Sequence, residues 1–243
     1  MRIIAFVAAA VLATCRISVA ADLALAPVYK VAAEPPGWSG FYLGLNAGAG
    51  IGDGRSDFSI GGALGFASID NSLKGAIGGI QAGYNWQAGM AVFGGEADFQ
   101  AASLNATLSA PCLPGLCGLP LSASYRQQTP WFGTVRGRLG VAGSGWLIYA
   151  TGGYAFARLE TDVVATADAA SASANLLQMR NGWTAGGGIE VAVAPCWSVK
   201  LEYLYLDFGK VSTTWVLVGG LPAIIDDARF SMNIVRAGVN YRF

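Results

Sequence analysis

Histidine is missing from all 243 residues. That excludes a Ser-His-Asp triad, a Cys-His dyad, an HExxH zinc site and a His-ligated haem. Charge is scarce too: 12% of residues are Asp, Glu, Lys or Arg, against about 25% in an ordinary soluble domain. Lys+Arg and Asp+Glu number 15 each, so no basic field exists to hold nucleic acid. No acidic or basic tail suggests a disordered chain. What the sequence has instead is apolar surface, 53% of its residues, and 34 glycines, about twice the usual share.

The N-terminus reads as an export signal. Arg2 gives a positive start, Ile3 to Ala13 is an apolar stretch, and Ser18-Val19-Ala20 and Val19-Ala20-Ala21 fit a small-residue cleavage site. Eleven apolar residues are too few to span a bilayer as a helix. Leu12-Ala13-Thr14-Cys15 departs from a lipoprotein box at Thr14. The expected organisation is a cleaved signal at 1–21, an extended periplasmic leader at 22–37 with Pro27, Pro35 and Pro36, and one folded unit at 38–243. Cleavage leaves 13 basic residues against 15 acidic, a net charge of −2. It also leaves three cysteines. Cys112 and Cys117 flank a turn-rich stretch in which a small disulfide loop is expected, with Cys196 outside that pair.

A hydropathy plot would mark the charge-free window Leu139 to Ala157 as a membrane helix. Gly143-Ser144-Gly145 puts turn chemistry in its middle, and Arg136, Arg138 and Arg158 all fall on even positions, so we read two strands there. Period-2 alternation recurs throughout. Phe41, Leu43, Leu45, Ala47 and Ala49 alternate with Tyr42, Asn46 and glycines; Ala76, Ile80, Ala82, Tyr84 and Trp86 with Gln81 and Asn85. Further on, Phe93, Ala97 and Phe99 alternate with Glu96, Asp98 and Gln100; Val135, Leu139 and Val141 with Arg136 and Arg138; Trp183, Ala185, Ile189, Val191 and Val193 with Thr184 and Glu190. Trp197 to Tyr205 and Val235 to Phe243 close the series, their odd positions apolar. With 146–160, whose inward phase stays open, eight strands result.

Connections at 53–73, 105–123, 161–174 and 212–227 read as long; those near 87–90, 142–145 and 194–196 read as short. Strict alternation of long and short connections, with an even strand count, is the pattern of an outer-membrane barrel with both termini in the periplasm. Aromatic residues fall at two levels. Trp38, Phe41, Trp86, Trp146, Trp197, Tyr241 and Phe243 lie beside short turns or termini; Tyr125, Trp131, Phe156, Trp183, Phe208 and Phe230 lie towards the long connections. Two girdles at the membrane interfaces are expected from this. The fold class is therefore all-β, an eight-stranded antiparallel transmembrane β-barrel with short periplasmic turns and long extracellular loops.

Eight strands leave room inside only for side chains. The inward charged set is Glu96, Asp98, Arg136, Arg138, Glu190, Lys200, Glu202, Arg236 and Arg242, four acids and five bases. Unpaired, a buried charge is costly, so a paired network is expected, with Glu190 set across the 194–196 turn from Lys200. It reads as a plug that fixes register, the alternative being an ion path. Gly48 to Gly54 lacks GxGxxG spacing, and GxxxxGK[ST] does not occur. Asp226-Asp227 and Asp53/Asp57 fall short of a calcium ligand set, so no metal and no cofactor are expected.

Trp38-Ser39-Gly40-Phe41-Tyr42-Leu43-Gly44, Gly79-Ile80-Gln81-Ala82-Gly83-Tyr84-Asn85-Trp86-Gln87, Val135-Arg136-Gly137-Arg138-Leu139-Gly140, Leu201-Glu202-Tyr203-Leu204-Tyr205 and Val239-Asn240-Tyr241-Arg242-Phe243 follow one another along the chain. In order and spacing they resemble the small outer-membrane β-barrel proteins of alphaproteobacteria, called outer-membrane immunogenic proteins or porin-family surface antigens. The resemblance implies a bacterial outer-membrane location and a structural or surface-antigen role. It also implies insertion by the barrel assembly machinery through a C-terminal signal at Tyr241 and Phe243. Implied partners are outer-membrane lipid and lipopolysaccharide; a homo-oligomer is compatible with it. The alternatives are a narrow porin-like channel, host adhesion through the loops, or haem capture, since some relatives are reported as haemin binders. Without histidine, haem would need Tyr, Met or Cys as axial ligand. An enzyme is not expected, because barrel hydrolases generally rely on a histidine near the rim.

Overall fold

The computed structural model describes residues 37–60, 64–110, 121–167, 170–215 and 224–243. Residues 1–36, which hold the expected signal and most of the expected leader, lie outside the described residues, as do Cys112 and Cys117. The chain forms eight antiparallel strands: β1 (Gly40–Ile60), β2 (Leu64–Ala88), β3 (Ala91–Ala110), β4 (Leu121–Ala142), β5 (Trp146–Ala167), β6 (Ala170–Ala194), β7 (Trp197–Trp215) and β8 (Ile224–Arg242). Each pairs with its sequence neighbours, and β8 closes on β1 from Tyr42↔Arg242 to Ile60↔Ile224. Closure removes the free edges that a bilayer cannot satisfy.

The short turns need glycine where the backbone turns left-handed. Gly89 (φ 61°) and Gly145 (φ 84°) supply this in the β2–β3 and β4–β5 turns. Because Gly143 to Gly145 separate β4 from β5, the inward parity changes there. Even positions face in on β4, and Leu147, Tyr149, Thr151, Ala155, Ala157 and Leu159 face in on β5. That settles the phase the sequence leaves open. It also sets Arg158 on the outward phase, half-exposed and paired with Glu160 at 3.0 Å, unlike Arg136 and Arg138.

Outward positions carry an apolar belt. On β1 it runs from Phe41 to Ile51 and ends at exposed Asp53; on β2 it runs from Trp86 to Ala76 and ends at exposed Lys74. The ten steps that separate the ends of this eleven-residue run, at about 3.3 Å each and tilted about 40°, rise about 25 Å, the height of an outer-membrane barrel's apolar band. At the upper margin Phe99 stacks on Trp131 (5.4 Å), which meets Phe156 edge-on (6.3 Å), and Trp183 packs with Tyr205 (5.5 Å). Tyr241 packs between Trp197 and Phe243 at the lower margin (5.1 and 5.0 Å).

Two expectations are corrected. The described residues of the segments at 53–73, 105–123, 161–174 and 212–227 are strand, not loop: the ladders continue to Phe58↔Ala67, Ala110↔Ala123, Ala167↔Ala170 and Trp215↔Ile224. Beyond the belt the sequence loses its apolar alternation, yet the backbone pairing persists. Three aromatics are also not in a girdle. Trp38, Phe208 and Phe230 are buried inside the barrel. Phe208 and Phe230 stack at 5.7 Å across β7 and β8.

Above the belt the wall divides. The β2–β3 ladder starts at Lys74↔Asn105 and the β6–β7 ladder at Trp183↔Asp207, whereas the other six ladders reach farther. Outside the membrane, β7–β8–β1–β2 and β3–β4–β5–β6 thus form two four-stranded sheets.

Candidate functional site

Among the described residues, charge concentrates in the barrel interior. All nine residues of the inward charged set are buried. Glu96 accepts from Arg136, from Lys200 Nζ at 3.0 Å and from Tyr42 Oη at 2.7 Å. Asp98 accepts from Arg136 Nη2 (2.9 Å), Arg236 Nη2 (3.1 Å) and Thr134 Oγ1 (2.7 Å). Glu202 accepts from Arg136 Nη1 (3.1 Å), Arg236 Nε (2.7 Å) and Tyr149 Oη (3.0 Å). Three carboxylates therefore hold three cations in one cluster. Its chords cross the lumen: Lys200 stands on β7 and Glu96 on β3, halfway round the ring.

Glu190 forms a second centre. It stands opposite Lys200 in the β6–β7 register, as the sequence predicts. Its ion-pair partner is nevertheless Arg138, two strands away on β4, while Lys200 turns to Glu96 and Glu202. A long side chain on a narrow cylinder reaches across more readily than along the wall. Arg138 is held over the Tyr149 ring at 3.6 Å. From Glu190 a polar chain continues through Asn240 Nδ2 (2.8 Å), Gln81 Nε2 on Asn240 Oδ1 (2.5 Å) and Asn46 Nδ2 on Gln81 Oε1 (2.9 Å). Gly188 makes room for Tyr149: a Cβ there would sit 2.7 Å from the tyrosine oxygen.

Apolar layers lie on both sides of this network. Towards the outside, Leu73, Leu104, Phe132, Leu204, Leu206, Phe208, Phe230, Met232 and Ile234 form a continuous buried cluster. Towards the periplasm, Trp38 packs with Val92, Ala142, Leu147 and Tyr149. A groove of about 530 Å³ beside Gly187 is walled mainly by outward Ile148, Ile189, Leu201, Tyr203 and Val235, so it belongs to the lipid face. Among the described residues no group of acidic or cysteine side chains is placed to hold a metal. Cys196 is half-buried in the β6–β7 turn. The sequence reading missed Tyr149, whose strand phase was open, and the inner position of Trp38.

Residues 7–243 match the outer membrane protein beta-barrel domain. The chain belongs to that family. Relatives of this outer-membrane β-barrel protein include the 31 kDa outer-membrane immunogenic protein of Brucella melitensis, 36% identical over 217 residues, 85% of this chain and 84% of that protein. The 22 kDa outer membrane protein of Rhizobium leguminosarum bv. viciae is 31% identical over 177 residues, 72% of this chain and 67% of that protein. Among solved structures, the outer membrane protein OprG from Pseudomonas aeruginosa aligns over 84% of this chain and 97% of that one with a TM-score of 0.51. At 15% identity that likeness speaks to the fold alone. The family resemblance read from the five motifs along the chain is thus correct, as is the outer-membrane location.

Proposed function

We propose that this outer-membrane β-barrel is a sealed structural and surface-presenting element of the envelope, neither a channel nor an enzyme. The observation that carries this reading is the filled lumen: a charge-paired middle between two apolar layers. An ion crossing it would have to break several buried ion pairs and then shed its water against Phe132, Leu204 and Met232. The two extramembrane sheets are the surface available to lipopolysaccharide, host or neighbouring cells, in keeping with a Brucella relative named as immunogenic. The curated relatives carry outer-membrane names and no enzymatic one, and a chain without histidine has little to offer general acid–base chemistry.

The test is electrical. Refolded protein in planar bilayers is expected to give no single-channel steps. Steps that change size on Glu190→Ala or Arg136→Ala would make the lumen an ion path and overturn the reading. A haem titration is expected to give no Soret shift.

The C-terminal Tyr241 and Phe243 serve as the assembly signal in this reading. Phe243 is 63% exposed, touches Tyr241 edge-on and adds one backbone hydrogen bond, to the Phe41 carbonyl at 3.0 Å, at the end of the ladder, so it contributes little to the folded barrel. Deleting it is expected to cut the amount of barrel in the outer membrane of living cells at least tenfold. The same variant refolded in detergent should keep its urea midpoint. Normal insertion in cells would remove the assembly role.

A further inference from the structure

The groove beside Gly187 runs down much of the apolar belt. Its walls begin at Val235 and Tyr203, one outward step below the paired Asn233 and Tyr205. They continue through Leu201 and Ile189 and end at Ile148, next but one to Trp146 at the β4–β5 turn. The floor is backbone, because Gly187 carries no side chain to fill it. One polar residue interrupts the outward face of β8 at the groove's upper end. Asn233 follows Val239, Ala237 and Val235 on the same parity, is half-buried, and stands across from Tyr205 of the upper girdle. Its Oδ1 accepts from Tyr203 Oη at 2.7 Å. A wall residue of the groove thus fixes an amide at its mouth, and the N–H groups of that amide are donors at the depth of the upper aromatic girdle, next to the headgroups.

We infer that this groove seats one acyl chain of an outer-leaflet lipid, with Asn233 Nδ2 donating to the carbonyl or hydroxyl oxygen where the chain leaves its headgroup. The polar anchor stands at the upper end and the lower end is apolar, so the chain enters from the outer leaflet. Bulk lipid is as apolar as the groove, so the hydrophobic effect does not select this seat. Dispersion contacts on two flanks and the floor do, together with the hydrogen bond at the mouth. The inference rests on the outer-membrane location and holds whether or not the lumen is sealed.

Native mass spectrometry tests it on the mature chain refolded in dodecyl maltoside with purified lipid A and then washed in detergent alone. Wild type is expected to retain one lipid A. Val235→Trp fills the upper groove and should retain about tenfold less, because the chain loses its flanking contacts. Asn233→Leu should retain about fivefold less, the worth of one hydrogen bond. This second variant leaves the walls intact, so the test stands even if tryptophan prevents folding. Val135→Trp on β4 is the control: Val135 is 56% exposed on the same belt, against 54% for Val235, but lines no part of the groove, so lipid A should be retained as in wild type. Heat-modifiable gel mobility checks that each variant is a folded barrel. A wild type that retains no lipid A overturns the inference. So does full retention by folded Val235→Trp or by Asn233→Leu, or an equal loss in Val135→Trp. A mass that falls by a whole protein chain in Val235→Trp would make the occupant a second copy and overturn it as well.

Discussion

Replacing Glu202 by leucine should destabilise the barrel by about 3–5 kcal/mol, the usual cost of stripping one partner from a buried ion pair. Glu202 is 2% exposed and accepts from Arg136, Arg236 and Tyr149, with Lys200 Nζ at 3.7 Å. Without it, three cations share Glu96 and Asp98, and two guanidinium groups are left short of an acceptor. Urea unfolding of the refolded protein in detergent or lipid vesicles would measure the loss. The Arg138–Glu190 pair offers the complementary case. Arg138→Met alone leaves Glu190 buried without its counter-ion, whereas Arg138→Met with Glu190→Leu removes both charges. The double variant should therefore be more stable than either single one, a coupling that a double-mutant cycle reads directly. Additive losses would mean that the two groups are solvated separately and that the lumen is wet.

How far the sequence could be read depended on where each residue sits on the cylinder. Along a strand the pleat has period two, so one charged residue fixes the side of all its neighbours. Arg136 and Arg138 did this for β4, and Lys200 and Glu202 for β7. On β5 both parities are apolar: Leu147 and Tyr149 compete with Ile148 and Ala150, and nothing along the chain breaks the tie. The inner place of Phe208 was within reach, since it continues the even parity of Lys200, Glu202, Leu204 and Leu206. Grouping it with the girdle by its distance from a turn overlooked that parity. Trp38 offers no such signal, because it precedes the first strand and is held from outside the alternation, by Arg242 at the other end of the chain. Register and contact also differ in legibility. Glu190↔Lys200 follows from counting across a turn, but Arg138–Glu190 and Lys200–Glu96 are chords across the lumen. Chords depend on closure of the ring, which no local pattern encodes. Beyond the apolar belt the two faces of a strand become chemically alike, so the outer halves of the hairpins looked like loops.

Ile80→Arg should cost about 2–4 kcal/mol, the penalty for a cation on the lipid face near the bilayer midplane. Ile80 is 61% exposed on β2 and pairs with Leu45 on β1, both pointing outward in the middle of the belt. In a water-soluble sandwich, such an exposed position would tolerate arginine within about 0.5 kcal/mol. The same measurement therefore decides what solvent surrounds the barrel. Ser72 is the internal control. It is exposed on the same strand and the same parity, but beyond Lys74, level with Asp53. Ser72→Arg should change stability by no more than about 1 kcal/mol, as at a membrane interface. Urea unfolding in lipid vesicles, with heat-modifiable gel mobility as the check on folding, would show the contrast. Equal tolerance at residues 72 and 80 would mean that the apolar belt does not face acyl chains. The depth dependence is the sharper observable, because a general loss of packing would not distinguish two exposed positions on one strand.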